Sequence, residues 1–188
     1  MELYNKRYFA LNKSLSKSIL ICLKRNEDAF LPRLFLYGAK DSVLMSLSQF
    51  ATLILEEPQI MKFMNGQADK LEFDLSIGDN DLAVSGKTGA VRYVVLRQQD
   101  KCSGRLNVLS MAKGTYQRLI DMSSLVQRYM VRLEKAAPVC GEMYTKYKNE
   151  DLCPSMHDKI SEHGFDFCVF AMELLLFESG VQDDMCVM

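Results

Sequence analysis

"VRYVVLRQQDK" occupies residues 91–101, and "SILICLKRNED" occupies residues 18–28. Each is a run of large and β-branched apolar residues that ends in a cation and polar side chains, the composition of a strand leaving a core. The two stretches lie 73 positions apart, and the likeness extends around them. At that shift, residues 9–25 lie on residues 82–98 without a gap, pairing Phe9 with Leu82, Leu11 with Val84, Ile21 with Val94, Leu23 with Leu96 and Lys24 with Arg97. At a shift of 66, residues 45–64 lie on residues 111–130, again without a gap. Met45 then meets Met111, Phe50 meets Tyr116, Leu53 meets Leu119, Ile54 meets Ile120, Ile60 meets Val126, Lys62 meets Arg128, Phe63 meets Tyr129 and Met64 meets Met130. Agreement of chemical type over two ungapped blocks predicts an internal duplication.

Each copy reads as antiparallel strands followed by a helix, so the expected fold class is α+β. In the first copy, strands are predicted at about 6–12, 17–25, 33–38 and 42–47. In the second they are predicted at 70–78, 80–85, 90–98 and 105–111, the last standing for a merged or shortened pair. Leu71, Phe73, Leu75 and Ile77 alternate along the first of these, as a half-buried strand requires. The turn "SGKTGA" contains Gly86 and Gly89, which permit positive φ. Apolar residues at helical spacing from Tyr116 to Tyr129 predict a closing helix. The matching helix of the first copy must kink or restart at Pro58, which has no amide hydrogen. A unit of about 65 residues has a thin core by itself. The sequence therefore predicts two sheet-and-helix repeats, 1–66 and 67–138, joined as an intramolecular pseudo-dimer. A helical extension, 139–188, follows them.

Charge is unevenly placed along these segments. Residues 1–66 hold 9 Lys/Arg and 6 Asp/Glu, residues 67–138 hold 11 and 8, and residues 139–188 hold 3 and 10. A body of net +6 thus precedes a tail of net −7. Between residues 6 and 40 there are 8 Lys/Arg against 2 Asp/Glu, and between 87 and 118 there are 7 against 1. Single-strand nucleic-acid binders need such cations for phosphates and flat side chains for bases. By strand alternation, Val94, Leu96, Ile21 and Leu23 face inward. Tyr93, Val95, Arg97, Cys22 and Lys24 then face outward. Tyr93 is read as a stacking group beside the phosphate clamp Arg97. Lys24 occupies Arg97's place in the other half, and Lys13, Lys17, Lys87, Arg33 and Arg105 line the path. Phe35 and Tyr37 suit either stacking or the core. The plainer reading is that these cations only solvate sheet faces.

Residues 73–98 and 109–130 together resemble the C-terminal domain of the transcriptional positive cofactor four family. The resemblance rests on Phe73, Ile77-Gly78, Lys87, Leu96-Arg97 and Tyr116-x-x-Leu119. The first copy matches through Leu23-Lys24 and Phe50-x-x-Leu53. The resemblance implies a dimer-like pair of curved antiparallel sheets that binds single-stranded DNA. It also implies a nuclear coactivator or replication accessory role. The tandem layout is similar to Pur-alpha and Whirly proteins. The turns keep lysine but lack the family's phenylalanine, and the chain contains no tryptophan.

Other classes fit less well. No nucleotide fingerprint, nucleophile elbow or His-Glu-x-x-His is present, and both histidines, His157 and His163, lie in the tail. No enzymatic activity and no cofactor are expected. Cys140, Cys153, His157, His163 and Cys168 lack a Cys-x2-Cys pair, so separate structural roles are favoured over zinc. The N-terminus has no secretory pattern and no apolar run is long enough for a membrane span, so an intracellular, nuclear protein with reduced cysteines is expected. "DFCVFAMELLLF" in the tail (166–177) is apolar enough to dock on the body or on a transcription or replication protein. The acidic tail would then compete with nucleic acid, and its removal would raise affinity. The expected partners are single-stranded DNA or RNA and no membrane, with the chain monomeric through its internal pair or associating further. The alternative function is a protein-interaction scaffold of the same fold that works through its C-terminal helix.

Overall fold

A computed structural model describes residues 3–26, 29–77, 81–100 and 104–149. Among the described residues the architecture is α+β, with two four-stranded antiparallel sheets and four helices. The elements are β1 (Leu3–Ala10), β2 (Ser18–Asn26), β3 (Ala29–Tyr37), β4 (Ser42–Met45), α1 (Leu47–Leu55), α2 (Glu57–Met64), β5 (Glu72–Asp74), β6 (Leu82–Lys87), β7 (Tyr93–Gln99), β8 (Leu106–Ala112), α3 (Lys113–Asp121) and α4 (Ser123–Asn149). Strand order is sequential in both sheets, β1-β2-β3-β4 and β5-β6-β7-β8. Four strands are present in each sheet, but β5 covers only Glu72–Asp74 of the strand expected over 70–78, and Ile77, expected on its buried face, is 48% exposed.

Local chemistry explains the helix boundaries. Ser46 caps α1: its hydroxyl accepts the Gln49 amide at 3.2 Å, and Gln49 Oε1 accepts the Ser46 amide at 3.0 Å. This reciprocal pair satisfies two donors that a helix start otherwise leaves unmade. Ser46→Ala should lower stability by about 1 kcal/mol, read as a shift in the urea midpoint. Pro58 lies in the first turn of α2, where its missing N–H costs nothing, and the helix restarts there as the sequence required. The second pair of helices breaks at Met122 with no proline involved; the Met122 amide donates to Arg118 O at 3.2 Å. Glu56 and Met122, 66 positions apart, make the same interruption with nearly the same backbone angles.

Burial follows the shift of 66 at most of the paired positions, although Phe63 is buried and its counterpart Tyr129 half-buried. Met45 and Met111, Phe50 and Tyr116, Leu53 and Leu119, and Ile60 and Val126 are all fully buried. Lys62 and Arg128 are both exposed.

The shift of 73 places its strands one position off. In the first sheet Met45 opposes Leu34 and Val43 opposes Leu36. In the second, Met111 opposes Val94 and Leu109 opposes Leu96. Hairpin β3–β4 is therefore positioned as β7–β8 is, and Tyr37, not Lys24, sits where Arg97 sits. Sliding by one hairpin still matches apolar to apolar, because strands of one sheet share their composition; only the pairing distinguishes them.

Two further expectations change. Cys22 is 0% exposed, and β2 is buried without interruption from Ile19 to Leu23. Both faces of β2 are covered there, so alternation does not make Cys22 an outward residue. Neither Gly86 nor Gly89 has positive φ. Gly86 lies within β6, and a Cβ there would collide with the Phe63 ring. Its need is room for α2, not turn geometry.

By compactness the chain forms two units, each drawing on discontinuous stretches. Of the described residues, one unit contains 3–6, 22–26, 29–32 and 131–149, and its buried residues include Cys22, Leu23, Phe30, Leu133, Ala137 and Cys140. Burial raises the Cys140 thiol above its usual value, opposed in part by a backbone hydrogen bond. The other unit contains residues 7–21 and 33–130. In it α2 packs on β7, and β4 packs against β7 and β8. Gln98, 6% exposed, joins these strands. Its amide donates to Leu44 O at 2.8 Å and accepts from Leu44 N at 2.8 Å. The side chain thus behaves like a strand backbone placed against the edge of β4. No helix among the described residues is long and apolar enough to cross a membrane.

Candidate nucleic-acid interface

Register defines the faces of the β5-β6-β7-β8 sheet. Val94, Leu96 and Gln98 of β7 turn inward with Met111 and Leu109 of β8, and all five are buried. The opposite face carries Tyr93, Val95, Arg97 and Gln99 of β7. Across from them on β8 stand Ala112, Ser110, Val108 and Leu106. On β6 the same face carries Lys87 opposite Tyr93, Ser85 opposite Val95, and Ala83 opposite Arg97. Glu72 and Asp74 of β5 complete it, opposite Ser85 and Ala83.

Three of the predicted residues come together here. Lys87 is exposed and Tyr93 half-buried, as direct neighbours on adjacent strands. Arg97 is exposed four residues further along β7, about 13 Å away at ~3.3 Å per residue. Tyr93 is thus the neighbour of Lys87 rather than of Arg97. Between the two ends Val95 is only 3% exposed, so alternation alone does not make it an open position. Beside it the Ser85 hydroxyl is buried without a hydrogen-bond partner among the described residues. Neither Lys87 nor Arg97 has an ion-pair or hydrogen-bond partner among the described residues.

The acids of this face lie at its far edge. Asp74 is fully exposed, and hydrogen bonds from the Ser76 side chain, the Ser76 amide and then the Leu75 amide hold its carboxyl below the usual value. Two strand spacings separate Asp74 from Arg97, about 10 Å at ~4.8 Å each. No ion pair joins the two among the described residues.

The remaining predicted residues lie elsewhere. Lys13 is exposed and Lys17 half-buried in the β1–β2 turn, which Asn12 organises by accepting the Lys17 amide at 3.2 Å and donating to the Ser16 hydroxyl at 2.9 Å. Leu15, at φ 56°, is exposed at the tip of that turn. Lys24 is half-buried on β2, in the unit that contains residues 22–32. Arg33 is half-buried on β3. Arg105 forms an ion pair with Asp41, whose other oxygen accepts the Val108 amide at 3.5 Å. The Arg105 side chain remains 63% exposed, so this surface pair positions it beside β8. Phe35 and Tyr37 stack with ring centroids 5.9 Å apart on the face of β3 opposite Leu34 and Leu36. Phe35 is 6% exposed, which places it in the core, while Tyr37 is half-buried.

Sequence reasoning overlooked Gln99, Leu106 and Val108. All three are exposed on the face of Arg97, Leu106 at 54% and Val108 at 37%. The alternation in "RLNVLSM" held the signal: Leu109 and Met111 cannot be inward unless Leu106 and Val108 are outward. Cys153, His157, His163, Cys168 and the 166–177 segment lie outside the described residues. No protein-family model matches this chain, and no curated protein matches it.

Proposed function

We propose that this protein binds single-stranded nucleic acid, DNA foremost, on the outer face of the β5-β6-β7-β8 sheet. The observation that carries the reading is the pair of cations, Lys87 and Arg97, each exposed and without a side-chain partner among the described residues, at the two ends of one sheet face with Tyr93 beside Lys87. Phosphates of a single strand take the cations and a base takes the ring. The matched burial of the two helix pairs supports an intramolecular pseudo-dimer, and the resemblance to the coactivator family supports a place in transcription or replication. Lys24, which lies in the other unit, drops out of the proposed binding residues, and Arg105, Lys13, Lys17 and Arg33 stand as peripheral contributors.

The test is titration of labelled single-stranded and duplex oligonucleotides of about 20 bases at two salt concentrations. Preferential single-strand binding that weakens with salt is expected. Lys87→Ala with Arg97→Ala should flatten the slope of log K against log salt by about 1.4, at ~0.7 for each phosphate no longer neutralised. Equal slopes for wild type and variant would remove this face from the interface.

A further inference from the structure

Lys87, Tyr93 and Arg97 explain how a strand is held but leave the β8 side of the face without a role. One row crosses all four strands there: Asp74, Ala83, Arg97 and Val108. It runs from carboxylate to methyl to guanidinium to isopropyl. The next pair along, Gln99 and Leu106, places an exposed amide beside an exposed leucine. The face is therefore acidic at β5, carries one exposed cation, Arg97, on β7, and is apolar at Val108 and Leu106 of β8. Exposed neighbouring apolar side chains on an otherwise polar sheet mark a contact surface.

We infer that a bound single strand lies with its phosphates over β7 and its bases over Leu106 and Val108, with Gln99 facing the base edges. This rests on the single-strand reading above and assigns the orientation of the strand within it. Charge decides the direction. A backbone displaced toward β5 meets Glu72 and Asp74, both exposed. Bases turned toward β8 cover apolar surface that water otherwise meets, and Gln99 offers both a donor and an acceptor to an unpaired base edge. A duplex cannot comply, since its base faces are already stacked and its pairing edges occupied. The ligand class is thus unpaired nucleic acid held through its bases as well as its charge.

An abasic phosphodiester strand of the same length separates base binding from charge. Wild-type protein should bind an ordinary single strand about ten-fold more tightly than the abasic one. In Leu106→Ser with Val108→Ser that ratio should fall to about one, with the abasic strand bound as before. Both side chains are exposed, and circular dichroism with a melting curve checks that the variant folds. A ratio that persists in the variant overturns the inference. So does an unchanged ratio accompanied by altered sedimentation, which would assign the patch to a second copy of the chain. If wild type binds neither strand, the single-strand reading falls first and this one with it.

Discussion

Tyr116→Ala lowers the free energy of unfolding by about 3–5 kcal/mol, the cost of a large aromatic removed from a filled core. Tyr116 is among the largest fully buried side chains and packs where α3 meets α2. Its hydroxyl donates to Leu53 O at 3.4 Å, a long bond, so Tyr116→Phe should cost under about 1 kcal/mol. Phe50→Ala, at the matching place on α1, should fall in the same range as Tyr116→Ala. Urea denaturation of the three variants checks this, and a Tyr116→Ala cost near zero would mean that the helix pair is not packed as described. The phenol adds a pH signature. Burial, then Glu57 and Glu56, raise its ionisation well above the usual value. A phenol that ionises less readily when folded stabilises the protein fully below the unfolded-state pKa of about 10. That stability is lost as pH rises above it, because the unfolded chain then releases the proton first. Between pH 9 and 11, wild type should lose more stability than Tyr116→Phe.

Gln98→Leu should destabilise by about 2–4 kcal/mol even though the replacement is apolar and the site is buried. The residue lies on the inward face of β7, where alternation asks for a hydrophobe, and there it holds both main-chain groups of Leu44. Leucine would fill the space but withdraw a donor and an acceptor together, and each polar group so deprived costs about 1–3 kcal/mol. Hydrogen exchange supplies the specific readout. The Leu44 amide should lose protection in the variant, while the amides of β6 keep theirs. Unchanged exchange at Leu44 would show that Gln98 is not what holds the β4 edge.

Much of the fold was legible because it is written in short-range patterns. The period of two in "LEFDLSIG", the β-branched apolar run in "VRYVVLRQ" and the proline at 58 are local signals. They place strands and a helix break. The shift of 66 was also legible, since a strand leading directly into a helix changes period from 2 to 3.6 and permits only one alignment. The shift of 73 was not, because strand against strand has no such marker. The interface was half legible. Lys87, Tyr93 and Arg97 share one face, but Arg105 is taken by Asp41, 64 positions away, a partner that no local pattern announces.

The sequence by itself determined which residues alternate, that a helix is interrupted at Pro58, and that the body is basic. Those properties depend on neighbours a few positions apart. Only the tertiary structure decided which of a strand's two faces is covered: β2 closed on both, the β7 face open at Arg97, Gln98 inward and bound to β4. Alternation divides a strand into two faces without saying what comes to rest on either, because coverage is made by elements distant in sequence. For the same reason Cys22 is core, and Leu106 and Val108 stand exposed beside an unpaired arginine.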